Sequence, residues 1–197
     1  LDLELGAAPT PETTRLYESI RDGTLEKVHH LLKREPPAPG DPPFKGLQYF
    51  DETDADLFFG REALVSHLVE QIRSREKSKG TRFLAIIGAS GSGKSSLVRA
   101  GLIPALKRVD KSLAAQVITP TEHPLSSLRG ASPTRGLLFV DQFEELFTLC
   151  QNESERKSFI NKALEIAKET TVIIALRADF YAACAPYENL RKVLSQN

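Results

Sequence analysis

Residues 83–96 read FLAIIGASGSGKSS, and this stretch decides how the rest of the chain is interpreted. Its first five residues are apolar, and such a run is typical of a strand buried on both faces of a parallel sheet. A loop rich in glycine and serine follows and leads into Lys94 and Ser95. Glycines let the backbone wrap closely around a ligand with its N–H groups turned inward. The stretch therefore predicts a strand, a phosphate-binding loop and a helix, in that order.

The loop matches the pattern G-x-x-x-x-G-K-S in full, which is the Walker A motif of P-loop nucleoside-triphosphate-binding domains. We expect Lys94 to reach the β- and γ-phosphates and the Ser95 hydroxyl to ligate Mg²⁺. A plain glycine–serine turn is the alternative, but such turns rarely place Lys-Ser at this offset behind a buried strand. The residues predicted to bind nucleotide are Gly88, Ala89, Ser90, Gly91, Ser92, Gly93, Lys94, Ser95 and Ser96.

A second apolar run, residues 137–140, ends in an acidic cluster. Asp141 follows the run directly, which places it at the carboxyl edge of the sheet, where ligands bind in open α/β folds. We predict that Asp141 completes the Mg²⁺ shell; capping the next helix is its alternative or additional role. Glu144 follows within one turn and is the predicted general base, with Glu145 as second choice. A solvated helix face is the alternative for both glutamates.

Another apolar run, residues 171–176, delivers Arg177 to the same edge. We predict that this fourth strand is inserted between the P-loop strand and the Asp141 strand. That order would put Arg177 beside the γ-phosphate, where its fixed fork of donors suits phosphate. Asp179 is expected to hold Arg177 or to cap the next segment. The alternative is an ordinary surface pair between these two residues.

The chain alternates apolar runs with helical patterns, which predicts an α/β domain with a parallel sheet. The predicted strands are 83–87, 115–119, 137–140 and 171–176, and the predicted helices are 62–72, 95–107, 143–150 and 153–168. Residues 73–82 are charged and are interpreted as a solvated connection. Upstream lie a helical segment of unknown role, 1–34, and a linker, 35–43, with five prolines; the P-loop domain takes 44–197.

The composition gives no support for a nucleic-acid or membrane partner. The 26 Lys and Arg residues are balanced by 26 Asp and Glu residues, so no bulk charge would recruit such a partner. No apolar run approaches the length of a membrane span. Cys150 and Cys184 do not form a C-x-x-C pair, and we expect two reduced thiols in a cytoplasmic protein.

Several segments taken together resemble the bacterial STAND-type NTPases, in the novel STAND group that is often joined to WD repeats. The similarity covers about residues 42–197 and includes, besides the motifs above, residues 43–62, 100–106 and 175–181. STAND proteins are AAA+-related ATPases that act as signalling switches. The resemblance implies ATP and ADP as ligands, Mg²⁺ as cofactor, slow ATP hydrolysis, a nucleotide-dependent homo-oligomer, and a C-terminal WD-repeat or other sensor region.

The resemblance also assigns roles to particular residues. Gly60 and Arg61 correspond to a segment that lies near the adenine and senses the nucleotide, which implies a preference for ATP over GTP. Gln142 stands where AAA+ proteins often carry their catalytic Glu, so Glu144 is the better candidate. Arg177 corresponds to the polar sensor that ends the fourth strand. Because the family continues with a fifth strand and a winged-helix region, we expect this domain to be incomplete at its C-terminus.

Three other functions stay open at this point. A P-loop kinase acting on a small molecule usually places the Asp141 strand beside the P-loop strand and carries an arginine-rich lid, and no lid segment is visible. An AAA+-like nucleic-acid-associated ATPase would need a basic element, and none stands out. A scaffold could bind nucleotide without hydrolysing it. The position of the 171–176 strand separates the switch from the kinase.

Overall fold

The computed structural model of the chain describes residues 48–77, 80–129 and 136–195. The predicted N-terminal helical segment and proline-rich linker lie outside the described residues. The strands are β1 (Phe83–Gly88), β2 (Ala114–Ile118), β3 (Gly136–Val140) and β4 (Thr171–Arg177). The α-helices are α1 (Glu62–Lys77), α2 (Lys94–Ser96), α3 (Ile103–Val109), α4 (Pro124–Ser127), α5 (Glu145–Thr148), α6 (Glu153–Ile166) and α7 (Glu188–Leu194). Short 3₁₀ helices cover Glu52–Leu57 and Ala178–Cys184, and a π-helix covers Leu97–Leu102.

The strands form one parallel sheet in the order β1-β4-β3-β2. β4 therefore lies between the P-loop strand and the Asp141 strand, as predicted. Gly88 is paired with Arg177, so the first residue of the phosphate-binding loop and the end of β4 are direct neighbours. This order brings the P-loop, Asp141 and Arg177 to one edge of the sheet. The fold class is confirmed as an α/β P-loop NTPase fold.

The central strands are apolar throughout because both faces of the sheet are covered. On one face Leu138, Ile174 and Leu176 pack with side chains of α6 and α7 such as Phe159 and Leu190. The opposite face carries the alternate strand residues, which pack against α1 and the helix after the P-loop. That cluster includes Leu137, Phe139, Ile173, Leu68, Ile72, Val98 and Leu102. Alternation along β3 and β4 thus serves two cores at once.

Helix α1 is longer than the sequence pattern indicates. The apolar stripe ends at Ile72, and residues 73–77 carry no large apolar side chain, yet the helix runs to Lys77. Arg, Glu and Lys are good helix formers, so the last turn does not require an apolar face. The guanidinium of Arg75 also donates a hydrogen bond to the Phe83 carbonyl, which ties the end of α1 to the start of β1.

The helix after the P-loop is continuous from Lys94 to Val109, but its middle is a π-helix. The Ile103 N–H bonds to the carbonyl of Val98, five residues back. Pro104 has no N–H and its ring would crowd the carbonyl four residues before it, so a widened turn ahead of Pro104 accommodates it. The sequence predicts a helix here, without the π-helical turn.

Gly101 lets this helix approach Phe58 and α1 closely. A Cβ at this position would lie 2.9 Å from both Phe58 Cε1 and Val65 Cγ2. We expect Gly101→Ala to lower the free energy of unfolding by about 1–2 kcal/mol, because overpacking costs about 1–3 kcal/mol and the better helix propensity of alanine offsets about 0.5–1 kcal/mol of it. Urea unfolding of Gly101→Ala, Val65→Ala and the double variant measures this. The double variant should lose less than the sum of the single losses, and strict additivity would show that the contact with Val65 is not the cause.

The described residues form no helix with the length and apolar character needed to cross a membrane.

Candidate nucleotide-binding site

The loop after β1 has the backbone shape of a phosphate cradle. Gly91 and Gly93 adopt φ angles of +70° and +81°, a left-handed conformation that glycine takes without a steric cost. A Cβ on Gly88 would lie 2.9 Å from Ser92 Oγ, so glycine also allows the loop to fold back on itself. Gly91 and Gly93 are therefore required by the loop conformation itself.

Lys94 reaches back across this loop. Its Nζ donates hydrogen bonds to the carbonyl oxygens of Gly88, at 3.0 Å, and Ala89, at 2.8 Å. The ammonium group thus lies over the loop, where it can exchange these neutral acceptors for the oxygens of a bound anion. Bonds between charged partners are shorter and stronger than bonds to neutral carbonyls.

Ser95 and Asp141 are in direct contact. The Ser95 hydroxyl donates to Asp141 Oδ1 at 2.8 Å, and the Asp141 residue is only 3% exposed. A hydroxyl oxygen with free lone pairs beside a carboxylate suits a hard cation such as Mg²⁺. Among the described residues no group of three or more His, Cys, Asp or Glu side chains could hold a metal by itself. A cation here would therefore share its shell with phosphate oxygens, as Mg²⁺ usually does with nucleotides.

The turn after Asp141 differs from the helical turn that we expected. Gln142 has a φ of +50°, an uncommon conformation for a residue with a side chain. The chain then crosses to β4, where the Phe143 N–H bonds to the Ala175 carbonyl at 2.8 Å. Glu144 Oε2 accepts a hydrogen bond from the Arg177 N–H at 3.2 Å. Glu144 returns to the sheet edge through this strained turn, and α5 begins only at Glu145.

Glu144 and Glu145 have different surroundings. Glu144 lines the cavity beside the P-loop, whereas Glu145 is half-buried outside its lining. Partial burial raises the pKa of the Glu145 carboxyl, and the nearby charges of Glu144 and Asp141 raise it further. A raised pKa makes a carboxylate a better base only if it reaches the attacking water. The geometry favours Glu144 as the general base. Because the pKa of Glu145 is raised, Glu145 is the residue with which Glu144 must be compared.

Arg177 lies at the predicted sheet edge, with its guanidinium paired to Asp179. Nε and Nη2 donate to the two carboxylate oxygens at 3.2 and 2.7 Å, and the guanidinium lies 5.3 Å from the centre of the Phe180 ring. The hydrogen bond from Arg177 holds the pKa of Asp179 below its usual value, and the charge of Lys94 contributes to the same shift. A role for Arg177 at the γ-phosphate stays a prediction.

A cavity of about 540 Å³ joins these parts, which is within the range of small-molecule sites. The predicted site residues that line it are Ser90, Gly91, Gly93, Lys94, Ser95, Ser96, Asp141, Glu144 and Arg177. The predicted residues outside its lining are Gly60, Arg61, Gly88, Ala89, Ser92 and Glu145. A second groove, of about 670 Å³, is lined by residues of α6 and α7 together with Thr81 and Lys168, and contains none of the predicted site residues.

Arg61 lies against the loop rather than in the cavity. A Cβ on Gly93 would be 3.8 Å from Arg61 Nη2, so the guanidinium packs beside the Lys94 end of the loop. Gly60 adopts a φ of +84°, and its N–H donates to Glu62 Oε1 at 3.1 Å. The hydrogen bond between Gly60 and Glu62 lies where the preceding chain joins the start of α1. The proximity of Gly60 and Arg61 to the adenine remains a prediction.

The residues that close the other side of the cavity were not among the predicted site residues. Gln48, Tyr49 and Phe50, here called the lead-in segment, line it together with Arg99. Arg99 Nε donates to Asp141 Oδ2 at 3.1 Å. Spacing could have revealed Arg99, because it follows Ser95 by four residues and so shares one face of the helix with it. For the lead-in segment the signal was the STAND resemblance, which includes residues 43–62 but gave Tyr49 and Phe50 no role in the site.

The family comparison agrees with the class that this site defines, a P-loop NTPase. The chain belongs to the family described as Novel STAND NTPase 1, whose model matches residues 43–197. No curated protein matches the chain. Among solved structures, it is similar to PCH-2 from C. elegans, with 16% sequence identity and a TM-score of 0.40. That similarity covers 67% of this chain and 39% of PCH-2, so the chain spans well under half of that protein.

Proposed function

We propose that this chain is an ATP-binding and slowly ATP-hydrolysing switch module of the bacterial STAND type, in a cytoplasmic protein. Membership of the family implies that it binds nucleotide. The observation that supports the rest most directly is the 2.8 Å hydrogen bond between Ser95 and Asp141, beside Lys94 and Glu144 in one cavity. That contact joins the phosphate-binding loop to the acidic strand end, as a triphosphate site requires.

Each side chain has a distinct role in this proposal. The loop N–H groups and Lys94 bind the phosphates, while Ser95 and Asp141 would hold Mg²⁺. Bound Mg²⁺ would neutralise charge on the phosphate oxygens. Glu144 would accept the proton of the attacking water. Arg177 would stabilise the γ-phosphate after release from Asp179, because its fork binds phosphate as well as carboxylate.

The strand order argues against the kinase alternative. In that class the Asp141 strand usually lies beside the P-loop strand, whereas here β4 separates them. The near-zero net charge gives no support for a nucleic-acid-associated ATPase. The scaffold alternative differs from the switch only in hydrolysis, which is measured directly by the variants of Glu144 and Glu145.

We predict that ATP displaces a fluorescent nucleotide from the full chain at lower concentration than GTP. The basis is the family resemblance of Gly60 and Arg61, together with the contact between Arg61 and the loop. Competition titrations with ATP, ADP and GTP in the same buffer measure the order. If GTP competes better than ATP while both bind, the assigned base preference is wrong and the P-loop assignment stands.

We also propose that the ATP state favours self-association and that ADP reverses it, with a C-terminal WD-repeat or other sensor region controlling an effector in the whole protein. Sedimentation of the full-length protein with ADP or a non-hydrolysable ATP analogue tests the first step. A larger mass with the analogue alone is the expected result. Equal masses in both states, under conditions where both nucleotides bind, would contradict control of self-association by nucleotide.

A further inference from the structure

We propose that Arg99 is a positioning residue of the nucleotide site. It keeps the Asp141 carboxylate oriented toward Ser95 and, through Tyr49, couples that carboxylate to the lead-in segment. The proposal rests on the proposed function, since it takes Asp141 to serve a nucleotide-bound Mg²⁺. Arg99 lies outside both the Walker A pattern and the acidic strand end.

Three donors fix the Asp141 carboxylate from different directions. Oδ1 accepts from the Ser95 hydroxyl at 2.8 Å and from the Gln142 N–H at 3.0 Å. Oδ2 accepts from Arg99 Nε at 3.1 Å. With Oδ2 held by Arg99, the carboxylate turns Oδ1 toward Ser95, where the two predicted metal ligands meet. Arg99 thus sets the orientation of Asp141 without itself being a ligand.

Burial makes this ion pair more than a surface contact. The side chains of Arg99 and Asp141 are 13% and 4% exposed. An ionised carboxylate at that depth is costly unless a charge partner and hydrogen bonds compensate it. Among the described residues, Arg99 is the ion-pair partner of Asp141. Arg99 therefore holds the Asp141 carboxylate in a fixed orientation before any cation arrives.

The same guanidinium lies over two aromatic rings. Its Cζ lies 4.3 Å from the centre of the Tyr49 ring and 6.0 Å from that of Phe139. Phe139 is fully buried in β3, whereas Tyr49 is 48% exposed and belongs to the lead-in segment. Attraction between a cation and a ring face is stronger where the pair is shielded from water than at a fully exposed site.

A second contact fastens the lead-in segment at the next residue. The Phe50 N–H donates to Ser96 Oγ at 3.1 Å, immediately beside the predicted metal ligand Ser95. The path from Tyr49 through Arg99 and Asp141 to Ser95 is therefore continuous. Arg99 itself lies in the π-helical segment, and such widened turns are frequent at functional sites. Binding or loss of a cation at Asp141 would consequently alter the contacts of residues 48–50.

Calorimetry of the full chain with a non-hydrolysable ATP analogue, in Mg²⁺ and in EDTA, tests the role of Arg99. We expect the wild type to bind more tightly in Mg²⁺. Arg99→Gln should reduce that Mg²⁺ gain by about 10-fold, in line with the loss of partners that orient metal ligands, and leave the EDTA affinity unchanged. Arg108→Gln, the same change at an exposed position in α3, should keep the full gain. A folded Arg99→Gln variant with an unchanged or larger Mg²⁺ gain overturns the proposal.

Two further comparisons keep the test decisive if Arg99→Gln fails to fold. Arg99→Lys keeps a charge for Asp141 but lacks the planar fork that stacks on Tyr49, and should lose about 3-fold of the Mg²⁺ gain. Tyr49→Leu, at a half-exposed position, should show a similar loss, and Tyr49→Phe should restore the gain because it keeps a ring face. A full gain in Arg99→Lys, or in Tyr49→Leu, contradicts the coupling.

The wild-type titration separates this inference from the proposed function. If the folded wild type binds the analogue in neither Mg²⁺ nor EDTA, the proposed nucleotide site itself is wrong. If the wild type shows the Mg²⁺ gain and Arg99→Gln shows the same gain, only the role of Arg99 is wrong.

Discussion

Lys94→Ala should lower the affinity of the chain for ATP by about 100-fold. Lys94 Nζ lies over the loop, 3.0 Å from the Gly88 carbonyl and 2.8 Å from that of Ala89, which places a positive charge where phosphate oxygens would bind. Hydrogen bonds to charged groups are worth about 1.5–3 kcal/mol each, and 2.7 kcal/mol corresponds to about 100-fold. Calorimetric titration with ATP in Mg²⁺ measures the loss.

The control for this variant is Lys111→Ala, which removes the same charge from an exposed turn. It should bind ATP like the wild type. A thermal melt without nucleotide separates loss of binding from loss of folding, because the two carbonyl contacts of Lys94 also support the loop. Unchanged ATP affinity in folded Lys94→Ala would mean that this loop does not bind phosphate.

Glu144→Gln should slow ATP hydrolysis by about 10²–10⁴-fold, the usual contribution of a general base, while keeping ATP bound. Glu144 lines the cavity, and its Oε2 accepts from the Arg177 N–H at the end of β4. Glutamine has an amide oxygen that can accept the same hydrogen bond, so the local structure should persist. It cannot take a proton from water at neutral pH. Single-turnover hydrolysis in the full-length protein measures the rate.

Glu145→Gln is the matched comparison. The Glu145 carboxyl has a raised pKa but lies outside the cavity lining. Replacing Glu145 should therefore leave the rate of ATP hydrolysis nearly unchanged. If Glu145→Gln hydrolyses ATP slowly while Glu144→Gln keeps the wild-type rate, the general base is Glu145 and not Glu144. If neither variant is slow, these carboxylates are not the base, and the scaffold alternative gains support.

The parts of the fold that follow from local chemistry could be predicted from the sequence. Two apolar runs, before Gly88 and before Asp141, were predicted to form buried strands. This is correct for β3, whereas β1 is the edge strand of the described sheet and its Ile87 is 42% exposed. The insertion of β4 between them does not follow from periodicity, since alternating strands and helices allow several strand orders. The order was predicted instead because it brings Arg177 beside the γ-phosphate.

The details of the site depended on tertiary contacts that no local pattern encodes. The left-handed Gln142 is held by the buried Phe143 and its N–H bond to Ala175, a residue more than thirty positions away. The contact of Tyr49 with Arg99 likewise joins distant parts of the chain. Arg99 itself could have been predicted from the sequence, because its spacing from Ser95 places both residues on one helix face.

Binding of Mg²⁺-ATP to the folded full chain is the measurement that tests the central claim most directly. Calorimetry, with circular dichroism to establish folding, should show one saturable site per chain that tightens when Mg²⁺ replaces EDTA and weakens in Lys94→Ala. A folded wild-type chain that gives no saturable binding of ATP, ADP or GTP in Mg²⁺ would contradict the account, because the cradle formed by Gly91, Gly93, Lys94 and Ser95 would then hold no nucleotide.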